Sequence, residues 1–241
     1  MLIPHARDTV HRAWLLRLLS AIADDRDLTE HLRFKGGTCA ALRGLLDRFS
    51  VDLDFDLLTK EGTPLVRRSL ERIFSAIGLT IKDQSAVVPQ YFVRYDSPKG
   101  HRNTIAVDIT VPPSAANTYE VVRFPDIDRF IPCHTIPTMV AHKLVTPLDR
   151  FALHGSVAGR DIYDIHHFLF NGFPWNEAVI RERTGYSLAV FFRTLHDFIE
   201  KRVTQTIVDQ DLNTLVTSEE FQRMRTRLKQ ETLSLIRAAS E

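Results

Sequence analysis

The sequence lacks the features that define several classes of protein, namely cysteine frameworks, signal peptides and membrane-spanning stretches. Only two of its 241 residues are cysteines, Cys39 and Cys133, and they give neither a metal-ligand spacing nor a disulfide framework. They fit a reducing compartment, and we expect both to fill the core. The N-terminus lacks an apolar signal core, and no stretch approaches membrane-spanning length. These absences predict a cytoplasmic protein without a membrane partner.

An excess of charge of one sign is also missing. Thirty-one Lys and Arg nearly balance thirty Asp and Glu, so the net charge of +1 indicates no class of partner. The composition, 44% hydrophobic and 25% charged, is that of an ordinary globular protein. The length allows one large domain or two small ones with a substantial core. Evidence about function must therefore come from local motifs.

The periodicity of apolar residues divides the chain into two parts. In the first part, helices are predicted over about Asp8–Ala23, Thr38–Leu46 and Pro64–Gly78, and strands over Leu32–Lys35, Val51–Leu58, Leu79–Lys82, Gln90–Tyr95, Asn103–Val111 and Tyr119–Phe124. From Ile136 onward only helices are predicted, over about Thr138–Phe151, Arg160–Phe170, Ser187–Arg202 and Ser218–Ala239. We therefore predict an α+β domain over residues 1–130 and a C-terminal helical domain over residues 131–241.

Three aspartates alternate with apolar residues in one of the predicted strands. Asp52, Asp54 and Asp56 would share one face of that strand. Like charges on one face repel unless solvent or cations lie between them. A solvated strand face is the alternative, but such faces usually mix charges of both signs. Carboxylate oxygens at this spacing can chelate Mg²⁺, which also retains waters and substrate phosphates as ligands.

A glycine turn lies one predicted helix upstream of these aspartates. Gly36 and Gly37 precede a helix for which Thr38 is the predicted N-cap. Free backbone N–H groups and the positive end of the helix dipole suit a phosphate there. A glycine pair alone is also a plain turn. Together with the carboxylates, however, it favours phosphoryl transfer, in which catalysis is mostly positioning and charge neutralisation.

Two segments carry a resemblance to a known family. The segment Phe34-Lys35-Gly36-Gly37-Thr38, followed by Arg48-Phe49-Ser50-Val51-Asp52-Leu53-Asp54-Phe55, resembles the signature of the nucleotidyltransferase superfamily. More narrowly, it is similar to the AbiEii/AbiGii family of abortive-infection and toxin–antitoxin toxins. The resemblance implies a nucleotidyltransferase-type mixed sheet with Asp52 and Asp54 as the metal-binding pair, and it leaves the role of Asp56 open. The predicted nucleotide-binding residues in these segments are Lys35, Gly36, Gly37, Thr38, Arg48 and Ser50.

Further positions are assigned by the same resemblance. Asp108 lies among β-branched residues of a predicted strand and matches the third acidic residue of the family, with an exposed strand edge as the alternative. Lys143 matches a later motif and would contact a phosphate or stabilise a base. Asp161 and Asp164, one helical turn apart, would orient that lysine or the nucleotide, although a plain acidic first turn is the simpler alternative. Pro147 predicts a local kink near Lys143.

The resemblance implies an activity and its partners. It implies transfer of a nucleotide from a nucleoside triphosphate, with Mg²⁺ or Mn²⁺ held by Asp52, Asp54 and Asp108. The expected biological setting is a toxin with a cognate antitoxin encoded nearby, and the expected acceptor is the 3′ end of transfer RNA. Two alternatives stay open: transfer to a small molecule such as an aminoglycoside, and a non-catalytic module that binds a nucleotide or a partner. Residues 171–241 match no motif of the family.

Overall fold

The computed structural model describes residue 3 and residues 5–240, which fold into helices and one mixed sheet. The helices in chain order are α1 (Thr9–Asp24), α2 (Arg26–His31), α3 (Gly36–Leu42), α4 (Thr63–Ile77), α5 (Ile136–His154), α6 (Gly159–Phe170), α7 (Glu177–Thr184), α8 (Leu188–Arg202), α9 (Gln205–Leu212), α10 (Ser218–Met224) and α11 (Leu228–Ala239). The strands are β1 (Leu32–Lys35), β2 (Leu53–Leu57), β3 (Thr80–Gln84), β4 (Gln90–Arg94), β5 (Thr104–Thr110), β6 (Tyr119–Phe124) and β7 (Arg129–His134). The predicted α+β class, with a helical C-terminal part, is confirmed.

The seven strands follow the order β3-β4-β5-β2-β1-β7-β6. β2 runs parallel to β5, and β1 runs parallel to β7, while the other neighbours are antiparallel. β2 and β1 therefore lie in the middle of the sheet. The strand with the aspartate run is flanked on both sides by strands that can contribute side chains to the same face.

Each central strand presents a core face and a polar face. In β5 the residues alternate between buried and half-buried from Thr104 to Ile109. On the core face, the rings of Phe34 and Phe55 pack with their centroids 5.2 Å apart, and Phe124 lies 5.7 Å from Phe34. The burial of these aromatic side chains fixes which face points inward, because a one-residue slip would expose them.

The register aligns one row of polar residues across the opposite face. Phe34 pairs with Cys133, so the residues after them on these parallel strands, Lys35 and His134, also face each other. The remaining pairs of the row come directly from the strand register. In spatial order the row is Tyr119, His134, Lys35, Asp54, Asp108 and Gln90.

Several elements form where local signals predict them. Helix α4 has Pro64 in its first turn and ends at Gly78, whose φ of 82° is left-handed. Helix α1 covers the predicted segment, with Leu15, Leu18 and Ile22 buried. Both cysteines are buried and free, which confirms them as core residues.

Other predictions were wrong in detail. Helix α3 has Lys35 rather than Thr38 as its N-cap, and it ends at Leu42. The predicted single helix over Ser218–Ala239 is two helices, α10 and α11. Strand β7 was missed, because Pro132 within it lacks the N–H that a strand ladder uses. Helices α2, α7 and α9 are short and were also missed.

The chain divides into two compact units. The first contains the residues up to Pro113 and Tyr119–His134, and therefore the whole sheet. The second contains Ser114–Thr118 and the residues from Thr135 onward, which include helices α5 to α11. The predicted boundary at residue 130 falls within β7. No helix among the described residues has the length and apolarity that crossing a bilayer requires.

Candidate active site

Two carboxylates meet at the centre of the sheet. Strands β2 and β5 are parallel, and Asp54 pairs directly with Asp108. Both residues are half-buried and lie on the polar face. Side chains of paired residues on adjacent strands project from the same face, so the structure brings these two acidic residues together although they are distant in sequence.

The glycine turn packs directly against Asp54. Lys35, the last residue of β1, pairs with Asp54, and Gly36 follows it with a φ of +79°. A Cβ atom at Gly36 would collide with the Asp54 side chain, whose own Cβ would be 2.8 Å away. Position 36 therefore requires glycine for two reasons: its backbone conformation, and the space that the Asp54 carboxylate occupies.

Asp52 lies just before β2 rather than within it, and its backbone is fixed by two other elements. The buried hydroxyl of Thr38 on α3 donates a hydrogen bond of 2.5 Å to the Asp52 carbonyl. From α1, His11 Nε2 lies 2.9 Å from the Val51 carbonyl. Because a carbonyl oxygen can only accept, Nε2–H of His11 donates this bond, and burial lowers the pKa of the His11 ring. The Thr38 hydroxyl is therefore engaged by the protein itself.

Arg48 and Ser50 lie in the segment that leads into Asp52, and both are buried. The Arg48 side chain is 4% exposed, and its Nη1 donates to the Phe49 carbonyl at 3.0 Å. Arg48 therefore supports the backbone just before the acidic strand. Its predicted contact with a nucleotide stays a prediction.

The third aspartate of the run has a different environment. Asp56 is 1% exposed, and its Oδ1 accepts a hydrogen bond of 2.6 Å from Lys35 Nζ. Its Oδ2 accepts from His134 Nε2 at 2.8 Å and from the Tyr119 hydroxyl at 3.0 Å. Burial opposes ionisation, but the hydrogen bond from His134 and the charge of Lys35 outweigh it and hold the pKa of the Asp56 carboxyl well below its usual range.

Three residues of this cluster are not among those that the sequence motifs predict. His134 and Tyr119 come from β7 and β6, and Thr110 on β5 accepts a second hydrogen bond from Lys35 at 2.7 Å. A signal for the two strands does exist in the sequence, because the segments Tyr119–Phe124 and Arg129–His134 flank Pro125-Asp126-Ile127-Asp128, whose proline and aspartates are typical of a turn. In the structure Asp128 has a φ of 52° in that turn. Reading those segments as a hairpin would have brought Tyr119 and His134 opposite each other, as the register has them.

In the helical unit, two ion pairs join α5 and α6. Lys143 Nζ lies 2.7 Å from Oδ2 of Asp164, which is fully buried. Arg150 binds Asp161 through two contacts, Nε to Oδ2 at 2.7 Å and Nη2 to Oδ1 at 3.2 Å. The hydrogen bond to Asp161 raises the pKa of Arg150. Each predicted aspartate therefore has its own basic partner, and Asp164 is the one that holds Lys143.

Helix α5 continues through Pro147. Proline lacks the N–H that would bond to the carbonyl four residues earlier, which here belongs to Lys143. Close by, Thr146 donates a hydrogen bond of 2.7 Å to the His142 carbonyl. The helical path near Lys143 is therefore kept although one backbone hydrogen bond is missing.

In the part of the chain that the structure describes, one group of three clustered potential metal ligands occurs, and it contains none of the central aspartates. His196, Asp197 and Glu200 on α8 bring three ligand atoms within 4.8 Å of one another. Asp197 and Glu200 are exposed, and exposed acidic groups one helical turn apart are common without an ion. None of the motif residues belongs to this group, so we assign it no catalytic role.

The central aspartates fit a divalent cation. Asp54 and Asp108 offer hard oxygen ligands from paired positions and keep some exposure, which suits Mg²⁺ because this ion retains bound water. Asp56 does not fit, because the Lys35 ammonium already lies 2.6 Å from its carboxylate. Carboxylates beside a glycine turn can bind a metal–triphosphate and bring an acceptor hydroxyl to it.

Comparisons with known proteins agree with this chemistry. The family model described as "Nucleotidyl transferase AbiEii toxin, Type IV TA system" matches residues 17–239. The fold is similar to that of JHP933 from Helicobacter pylori, with a TM-score of 0.63 and 21% identity over 98% of this chain and 93% of that one. It is also similar to MenT4, a nucleotidyltransferase toxin from Mycobacterium tuberculosis, with a TM-score of 0.57 and 15% identity over 96% and 84% of the two chains. At these identities the structural likeness shows the fold alone. Among curated proteins, no significant match was found.

Proposed function

The chain belongs to the AbiEii family of type IV toxin–antitoxin nucleotidyltransferases, and on that premise we propose that it transfers a nucleotide from a nucleoside triphosphate to RNA. The proposed acceptor is the 3′ end of transfer RNA. The observation that carries the proposal is the pairing of Asp54 with Asp108 directly beside the Gly36 turn. A cognate antitoxin encoded nearby completes the proposed system, and the cytoplasm, which contains triphosphates and transfer RNA, is the proposed location.

The proposed metal ligands are Asp52, Asp54 and Asp108. A divalent cation held there, Mg²⁺ or Mn²⁺, would neutralise triphosphate charge and make an acceptor hydroxyl more acidic. The cross-strand pairing of Asp54 with Asp108 supports these two ligands most directly. Asp52 is supported by its position two residues before Asp54, on a backbone that Thr38 fixes.

The proposed reaction forms a bond between an acceptor hydroxyl oxygen and the α-phosphorus, while the bond to pyrophosphate breaks. We assign Asp108 to activation of the acceptor hydroxyl. Backbone N–H groups at Gly37 and Thr38 would bind the pyrophosphate side. We do not assign this role to the Thr38 hydroxyl, because it already donates to the Asp52 carbonyl. Lys143, held by Asp164, keeps the phosphate-binding role that the family resemblance implies for it.

A labelling assay tests the proposal. Purified protein, labelled triphosphates, Mg²⁺ and total RNA should give a discrete labelled RNA band of transfer RNA size. Periodate oxidation of the RNA destroys its 3′ hydroxyls and should abolish the label. A label that appears on an aminoglycoside and never on RNA would select the small-molecule alternative, and triphosphate binding without turnover on any acceptor would select the non-catalytic one.

Asp54→Asn tests the assignment of the metal-binding residues. The amide is nearly isosteric but has lost the charge that holds a cation, so we expect labelling to fall at least 100-fold. Asp83→Asn is the matched control, because Asp83 is an exposed aspartate on β3 of the same sheet. Urea unfolding of both variants checks that the fold is kept. Normal labelling by Asp54→Asn would refute the metal assignment.

A further inference from the structure

Asp56 is bound by donors that come from three strands. Its two oxygens accept hydrogen bonds from Lys35 on β1, His134 on β7 and Tyr119 on β6. The side chains of Asp56 and His134 are each 1% exposed. A buried carboxylate is stable only when hydrogen bonds and positive charge replace its lost hydration. The cluster therefore fixes the orientation of the Asp56 carboxylate.

The same cluster fixes the ammonium group of Lys35. Its Nζ lies 2.6 Å from Asp56 Oδ1 and 2.7 Å from Thr110 Oγ1. Asp56 and Thr110 pair with each other, two residues after the pair of Asp54 and Asp108 on the same parallel strands. Because side chains two residues apart share a face, the ammonium lies next to the proposed metal ligands. Lys35, which carries this ammonium, also directly precedes Gly36 in the glycine turn.

We propose that His134 and Tyr119 are positioning residues, which orient Asp56 so that it holds the Lys35 ammonium against the triphosphate of the bound nucleotide. This inference rests on the proposed function. An ammonium has three N–H donors, and among the described residues two of them bond to Asp56 and Thr110. The third donates to a non-bridging phosphate oxygen. Without its donors from β6 and β7, the Asp56 carboxylate rotates and takes the ammonium with it.

A purely structural cluster would behave differently. If these bonds only joined β6 and β7 to β2, their loss would lower the stability of the fold and leave the affinity for nucleotide unchanged. If they position Lys35, their loss raises KM for the triphosphate while kcat stays nearly constant, because a contact made equally in the ground state and the transition state has been weakened.

Two matched tyrosine variants separate these roles. Tyr119 donates to Asp56 at 3.0 Å, and Tyr91 on β4 donates to the Glu71 carboxylate at the same distance. Tyr119→Phe and Tyr91→Phe thus each remove one phenol–carboxylate hydrogen bond from the same sheet. We expect Tyr119→Phe to raise KM for the triphosphate about fivefold to tenfold, with kcat within twofold. Tyr91→Phe should leave both constants unchanged. Equal effects of the two variants would overturn the positioning role.

A double-mutant comparison tests whether Tyr119 acts through Lys35. Lys35→Met should raise KM by itself, and adding Tyr119→Phe to it should cause no further rise. Effects on KM that multiply would show that Tyr119 acts by another route. The wild type in the same assay separates the two proposals: if it transfers no nucleotide, the proposed function fails, and if it transfers while Tyr119→Phe behaves as Tyr91→Phe does, only the positioning role fails.

Discussion

At the scale of single residues, the position of the Asp54 carboxylate depends on the glycine at position 36. Its φ of +79° is a conformation that costs other residues about 1–2 kcal/mol. In addition, a Cβ atom there would be 2.7 Å from the Asp54 Cγ. Rotation of the carboxylate cannot remove the collision, because the Asp54 Cβ itself would be 2.8 Å from the added atom, so the glycine turn and Asp54 must move apart.

Gly36→Ala should therefore lose activity as well as stability. We expect the free energy of unfolding to fall by about 3 kcal/mol, from backbone strain and the collision together. Nucleotide transfer should fall at least about 100-fold, because displacements of catalytic groups near 1 Å have effects of this size. Urea unfolding and the RNA-labelling assay measure the two losses separately.

Gly44→Ala is the matched control for this variant. Gly44 follows the same helix, has a φ of +72°, and would have no atom within 4 Å of an added Cβ. It should lose about 1–2 kcal/mol of stability and keep its transfer activity. If Gly36→Ala transfers nucleotide as fast as Gly44→Ala, the close contact with Asp54 has no catalytic importance.

The aspartate run shows what a sequence pattern can and cannot predict at this scale. Alternation predicted that Asp52, Asp54 and Asp56 belong together, and the motif resemblance singled out the first two. The different environment of Asp56 could not be predicted, because its donors His134 and Tyr119 lie far along the chain on strands whose pairing is a long-range property. Local periodicity carries no information about such partners.

At the scale of helices and strands, prediction succeeded where the signals were local. Helix α4 has Pro64 in its first turn and Gly78 as its C-cap, so local residues set both of its ends. Strand β7 is not predicted, because Pro132 weakens its local pattern and its formation depends on pairing with β1 and β6. Thr38 is a favourable N-cap residue, but in the structure its hydroxyl bonds to the Asp52 carbonyl instead.

The two ion pairs between α5 and α6 predict that replacing Asp161 and replacing Asp164 affect activity to different extents. Asp164 binds Lys143, the proposed phosphate contact, whereas Asp161 binds Arg150 through two hydrogen bonds. Asp161→Asn should lower the free energy of unfolding by about 2 kcal/mol, because it weakens hydrogen bonds to a charged partner. Asp164→Asn should lower kcat/KM for the triphosphate at least tenfold, and more than Asp161→Asn does.

Both variants replace a buried aspartate one helical turn from the other, so each is a control for the other. Urea unfolding and steady-state kinetics on the same preparations give the comparison. If Asp161→Asn lowers kcat/KM as much as Asp164→Asn, then Asp161 also acts on the nucleotide, as the family resemblance implies.

At the scale of the whole molecule, the sheet is built from two stretches of the chain, one before Ser114–Thr118 and one after it. Ser114–Thr118 belongs to the helical unit, but Tyr119–His134 returns to the sheet as β6 and β7. A cut at residue 130, the boundary that the sequence suggests, would remove Ile131–His134 from β7. Those four residues pair with β1 and with most of β6.

Fragments that end at residues 130, 134 and 138 test where the sheet unit ends. Extension from 130 to 134 restores the buried side chains of Ile131 and Cys133 and the His134 hydrogen bond to Asp56, so we expect a gain of at least about 3 kcal/mol in the free energy of unfolding. Extension from 134 to 138 adds four residues of the helical unit and should give no comparable gain. Urea unfolding followed by circular dichroism measures each step. Equal stability of the fragments ending at 130 and 134 would show that β7 is dispensable and would support the boundary at residue 130.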